Sequence, residues 1–232
     1  MTQAPILIGC AHGTKSKAGQ QTIRDLLDAV RRALPDVEVR EAYVDVHGPT
    51  LDDVIADIPR AQSGMAAVVV PLLLGGSFHV HHDIAKAVEH RDDVVSAAAL
   101  GRDSRLIDAV LDRLREARVS QDATLVLAAA GSSDPRSQAD TEAAAETLRR
   151  AWAGPVRVGF AAGHEPSVTQ SVAAAREFGE DGVVAIASFL LAPGVFHTKL
   201  QDAGADVVTA PLAPHPDLVS IVIDRYSSFT HV

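Results

Sequence analysis

A chain of 232 residues with 47% hydrophobic residues has ample material for a core, and none of its apolar runs approaches the roughly 20 residues of a membrane span. Its net charge of −9, from 30 acidic and 21 basic residues, argues against nucleic-acid binding and requires any anionic ligand to find local cations or backbone amides. The single cysteine, Cys10, permits no internal disulfide, and no basic region precedes an apolar one at the start, so a cytoplasmic protein is expected.

In chain order, near-continuous apolar runs predict strands over residues 5–11, 37–44, 66–74 and 94–99, and again over 123–130, 155–162, 182–191 and 205–210. Such runs suit parallel strands covered on both faces. Helical spacing fills the intervals. Residues 19–34 carry Ile23, Leu26, Leu27, Val30 and Leu34, and Pro35 ends the run. Residues 102–118 carry Leu106, Ile107, Val110, Leu111 and Leu114, with arginines toward the end, where cations suit the helix dipole. Residues 136–152 and 166–178 repeat the style. The alternation predicts an α/β protein of two similar doubly wound parallel-sheet domains with a cleft between them: residues 1–119, then residues 120–232, joined by the polar stretch 118–122.

The two halves are copies. PILIGCAHGT at 5–14 aligns with TLVLAAAGSS at 124–133, AYVDVHGPTL at 42–51 with GFAAGHEPSV at 159–168, and PLLLGGSFH at 71–79 with SFLLAPGVF at 188–196. At three aligned points the first copy has His12, Asp45 and His79, whereas the second has Ala130, Ala162 and Phe196. In open parallel sheets, ligands bind outside the carboxyl ends of the strands. If the first strand is central, His12, Asp45 and His79, the last in the loop after Gly75-Gly76-Ser77, project over one edge. Two imidazoles and a carboxylate suit a borderline divalent ion and leave coordination positions open. Taken singly, each has a plainer role: loop histidines bond to neighbours, and an aspartate at a strand end caps a turn.

His47 lies two residues beyond Asp45, but the second copy shares it as His164, which favours a structural role. His81 and His82 enrich the segment after His79; an exposed helix start with Asp83 in its first turn explains His82, and His81 is left open. Ser132, Ser133 and Asp134 before Pro135 have the chemistry of a helix cap. His164 and His197 in the second half are weak candidates for a further metal site. Phe196 offers either an apolar ligand face or core packing, and Thr230-His231-Val232 is expected to fray.

The His-Gly-Thr after the first strand, the acidic residue in AYVDVHGPTL and the PLLLGGSFHVHHDI segment resemble the class II chelatases of the sirohydrochlorin (CbiX-type) family, in their long two-domain form. The resemblance runs through both halves. It implies a lyase that inserts Co(II) or Fe(II), and in some members Ni(II), into sirohydrochlorin during sirohaem or cobalamin biosynthesis. The metal is then a substrate, and neither a nucleotide nor a redox cofactor is needed. His12 and His79 match the metal-site histidines, and Asp45 falls where the family usually has glutamate, one methylene longer. His12, Asp45 and His79 are accordingly the catalytic and metal-site candidates. For the carboxylate-rich tetrapyrrole the candidates are Lys15, Ser77, Phe78 and Ser132, with Lys17 and the amides of the Gly75–Phe78 and Gly131–Ser133 turns beside them. The second half then forms the opposite wall. A monomer or weak homodimer is expected, with no nucleic-acid or membrane partner. The competing readings are a carrier of tetrapyrrole or metal without turnover, kept open by Asp45, and a phosphate-binding α/β protein, disfavoured by the lone Gly13 after the first strand.

Overall fold

The computed structural model of the chain describes residues 4–75, 78–132, 134–178 and 182–230, and the side chains of residues 78, 79, 81, 135 and 178 lie outside what it describes. Two four-stranded sheets, all pairings parallel, organise the chain. In the first, β1 (Ile6–Ala11), β2 (Val39–Tyr43), β3 (Ala67–Pro71) and β4 (Val94–Ser96) are ordered β2-β1-β3-β4. In the second, β5 (Thr124–Ala129), β6 (Val156–Phe160), β7 (Val184–Phe189) and β8 (Val207–Val208) repeat that order as β6-β5-β7-β8. All eight expected strands are present, each shorter than its apolar run. The order supplies the condition that the sequence leaves open: β1 is central, with β2 and β3 on either side.

The helices are α1 (Lys17–Ala33), α2 (Leu51–Ala56), α3 (Phe78–Val88) and α4 (Arg105–Glu116), then α5 (Pro135–Ala151), α6 (Val168–Phe178), α7 (Val195–Gln201) and α8 (Pro216–Ser227). Ser16 starts α1 by accepting the Gly19 N–H, and Arg31 and Arg32 occupy its last turn. Because side chains alternate across a strand, β1 buries Ile8 and Cys10 on one face. There they join Val54 and Ile55 of α2, and Val80 and Ile84 of α3, in one core cluster. In the second sheet, Val126 and Ala128 pack with Val168 and Val172 of α6 and Leu200 of α7. The helix expected to start near His82 begins earlier, at Phe78, and Pro216–Ser227 is a helix that the sequence reading does not include, although Leu218 and Val222 stand at i,i+4 spacing. Asp83 accordingly lies beyond the first turn of α3, which contains no acid.

The chain divides into two compact units at places the repeat does not predict. One comprises Met1–Leu73, Phe78–Leu100 and Pro214–Val232; the other comprises Leu74–Ser77 and Gly101–Ala213. The 1–119 and 120–232 halves thus exchange their last helices. The physical reason is packing: α8 lies against α1 and β3, whereas α4 lies against β7 and α5. Tyr226 of α8 donates its hydroxyl to Pro5 O at 2.7 Å, and Arg225 donates to Ala99 O at 3.2 Å. Arg113 of α4 donates to Pro211 O and Leu212 O. The polar stretch 118–122 is therefore a turn inside the second unit, not a linker between units.

Candidate functional site

The carboxyl edge of the first sheet is assembled by backbone bonds that prolong its ladders. Ala11 O accepts the Val44 N–H at 3.0 Å, and His12 O accepts the Asp45 N–H at 2.9 Å. His12 and Asp45 are thus neighbours at the ends of adjacent strands, and both side chains are exposed. On the other flank, Cys10 O accepts the Leu72 N–H at 2.7 Å as the chain leaves β3 for α3. His79 is the second residue of α3 and not a loop residue as expected. The three positions therefore follow β1, β2 and β3, where the strand order reverses around β1. The His79, Phe78 and His81 side chains, and all of Gly76, Ser77 and Ser133, lie outside the described residues. Among the described residues, no three metal-ligating side chains gather.

Gly13 makes the edge compact. It stands at φ +104, and a Cβ there would lie 2.0 Å from Asp45 O, so only glycine lets this loop rest on that carbonyl. The Asp45 carboxylate stays close to its own backbone: Oδ1 accepts the Val46 N–H at 2.6 Å. A short acidic arm leaves its second oxygen for a ligand or a proton. His47 is used differently. Its Nδ1 accepts the Thr14 N–H at 3.3 Å, and its ring lies 3.9 Å from that of Tyr43, centroid to centroid. It ties the His12 loop to the Asp45 loop, as a residue shared by both copies should. Burial pushes the Cys10 thiol up to about 12 and, with Glu41 nearby, the Tyr43 phenol up to about 12 as well. Both are neutral at physiological pH, and Cys10 belongs to the core.

Lys15 is exposed directly after this loop. Ser132 Oγ accepts the Asp134 N–H at 3.2 Å, and Asp134 caps α5 by accepting the Arg136 N–H at 3.0 Å. The capping alternative therefore holds for this turn.

The edge of the second sheet has the same scaffold. Ala129 O accepts from Ala161 N–H and Ala130 O from Ala162 N–H, both at 2.9 Å. Gly131, at φ +81, sits so close that a Cβ would fall 1.7 Å from Ala162 O. At the two matching positions this edge presents methyl groups, Ala130 and Ala162. Phe196 is 37% exposed and Val195 68% at the start of α7, so Phe196 is not core packing. Lys199 Nζ lies 5.8 Å from the Phe196 ring centroid and donates to Ala161 O at 3.2 Å. Sequence reasoning passed over Lys199, although its i,i+3 spacing from Phe196 would have revealed it once α7 was read as a helix. His164 Nε2 lies 3.4 Å from Asp134 O and His197 Nε2 lies 3.1 Å from Thr209 O, so each ring faces a carbonyl. No helix among the described residues is long and apolar enough to cross a membrane.

A family model described as CbiX matches residues 6–117 and 124–229. The chain is 26% identical over 147 residues to the sirohydrochlorin ferrochelatase of Priestia megaterium, a match covering 60% of this chain and 54% of that protein. It is 25% identical over 131 residues to the sirohydrochlorin cobaltochelatase of Methanosarcina acetivorans, covering 50% of this chain and 99% of that protein. Among solved structures, SirB from Bacillus subtilis with Fe3+ has a similar fold, with a TM-score of 0.79 at 20% identity over 97% of this chain and 95% of that one.

Proposed function

The chain belongs to the CbiX family, and on that premise we propose that it is a sirohydrochlorin chelatase, inserting Fe(II) or Co(II) into the macrocycle. The observation that carries this reading is the asymmetry of two otherwise matching sheet edges: the first keeps His12 and Asp45 as bonded neighbours, and the second has Ala130 and Ala162 there. The two curated relatives, one a ferrochelatase and the other a cobaltochelatase, support this pair of metals. Ni(II), bound by similar donors, is the third metal to test.

His12, His79 and Asp45 hold the incoming metal, a substrate. The imidazoles bind as neutral donors, and the carboxylate offsets part of the charge. Insertion replaces two pyrrole N–H bonds by metal–nitrogen bonds, so two protons leave the ring. The Asp45 oxygen not bonded to Val46 N–H accepts one of them at the site, and solvent water takes the other. Lys15 offers a cation to the acidic rim of the tetrapyrrole, and Ser77, Phe78 and the Ser132 turn are the remaining contacts assigned to it. The metal site belongs to the first copy, with the second as support. The lone buried Cys10 agrees with a reducing, cytoplasmic setting. The chain acts as a monomer or weak homodimer.

The test is anaerobic incubation with sirohydrochlorin and Fe(II), Co(II) or Ni(II) in turn, followed by the absorbance of the macrocycle. Turnover well beyond one equivalent with at least one metal is expected. Rates equal to the protein-free reaction for all three would reject the proposal, and a single equivalent of product would favour a carrier.

A further inference from the structure

Val46 stands at φ 72, between Asp45 and His47. Left-handed backbone crowds the Cβ of an L-residue against its own carbonyl, and a β-branched side chain makes it worse. The conformation is fixed by a tight turn: His47 N–H donates to Asp45 O at 2.9 Å, around Val46 as the central residue. Turns of this kind with positive φ are rare because they are strained. The internal repeat provides a control. The residue aligned with Val46 is Gly163, at φ 75. The fold requires left-handed backbone at this point in both copies, and the second copy meets it with the residue that does so without strain. The first copy keeps a valine there.

That valine is not retained for core packing. It is 40% exposed, and it belongs to neither the buried cluster of the first sheet nor the partly buried residues packed against it. Its N–H is held by the Asp45 carboxylate and its neighbour His47 is clamped to the His12 loop, so the isopropyl group is presented rigidly beside the metal-site residues. Strain of this kind persists where a function uses the geometry.

We infer that Val46 is a substrate-contacting residue that packs its side chain against the flat face of the tetrapyrrole. This rests on the chelatase reading above. A metal enters a macrocycle perpendicular to the ring plane, so groups flanking the metal-holding side chains meet the ring face and not its carboxylate rim. An apolar group suits that face, and a glycine leaves it uncovered.

The experiment measures equilibrium binding of metal-free sirohydrochlorin by fluorescence, binding of Co(II) alone by calorimetry, and thermal melting, for the parent, Val46→Gly and Val46→Ala. Both variants are expected to bind sirohydrochlorin about tenfold more weakly, from lost apolar contact. Co(II) affinity is expected to match the parent in both, and Val46→Gly to melt no lower than Val46→Ala, since glycine removes the strain. Unchanged sirohydrochlorin affinity in Val46→Gly overturns the inference. So does a loss of Co(II) affinity in Val46→Gly, which would assign the strained turn to holding Asp45. A parent that binds sirohydrochlorin tightly without metallating it rejects the chelatase reading and leaves the contact testable by the same titration; a parent that binds none overturns both.

Discussion

At the edge of the first sheet, Ala11 and His12 accept backbone bonds from Val44 and Asp45; at the edge of the second, Ala129 and Ala130 accept the same bonds from Ala161 and Ala162. Gly13 and Gly131 both press close to the facing carbonyls, and Val46 and Gly163 share a positive φ. The backbone is duplicated to this level of detail, while the side chains it displays diverge from an imidazole and a carboxylate to two methyls. Scaffold and chemistry are thus separable in this fold. Loop positions set by ladder bonds are held whichever groups they display, and at this turn the non-glycine residue with positive φ stands in the first copy.

Substitutions can break this comparison, and the largest effect is expected at its centre. His12→Ala removes an exposed side chain, so the protein should melt like the parent, while metallation of sirohydrochlorin slows more than about a thousandfold, or ~4 kcal/mol in the barrier. Ala130→His at the matching place should leave the rate unchanged. A slow His12 variant that has also lost its fold would weaken the assignment; a fast one would remove it.

Next come the acids that precede the last strand of each sheet. Each accepts a backbone N–H, Asp93 from Ala61 and Asp206 from Val184, but Asp93 is buried with Arg91 at 2.8 Å, whereas Asp206 and Arg176 are paired at 2.9 Å with both side chains exposed. Asp93→Asn removes the buried carboxylate paired with the part-buried Arg91 guanidinium and should cost about 3 kcal/mol in urea denaturation. Asp206→Asn should cost less than about 1 kcal/mol. Hydrogen bonds from Arg91 hold the Asp93 carboxyl well below the usual carboxylate range. A lowered folded value means that the unfolded chain takes up the proton first as pH falls. The stabilisation is therefore complete above about pH 4 and is lost below it. The parent should weaken steeply in that acid range, and Asp93→Asn less so.

The smallest effect is expected at Phe196. Phe196→Ala removes a partly exposed ring that shares its surroundings with Lys199. It should raise the KM for sirohydrochlorin about threefold at most, with kcat held, and leave Co(II) binding as it was. A large fall in kcat would show that the second edge takes part in the chemistry.

The strands were legible because parallel strands covered on both faces must be apolar throughout, and the runs at 66–74 and 182–191 admit little else. Their order was not, since nothing local in β1 says that β2 and β3 flank it. The exchange of α4 and α8 was hidden for a related reason. The repeat reports ancestry along the chain, whereas the unit a helix joins depends on the surface it covers, such as Tyr226 reaching Pro5. His12 and Asp45 could be placed from the repeat because they end strands. His79 was misplaced into a loop because the glycines before it mask a helix start at Phe78. Val46 escaped notice altogether, since positive φ has no signature in a valine; its alignment with Gly163 was the available clue.

If one copy handles metal and the other does not, anaerobic calorimetric titration of the parent with Co(II) will count the sites. One ion per chain is expected, lost in His12→Ala and in His79→Ala and retained in Phe196→Ala. Two equivalent ions per chain, or a single ion undisturbed by either histidine substitution, would contradict it.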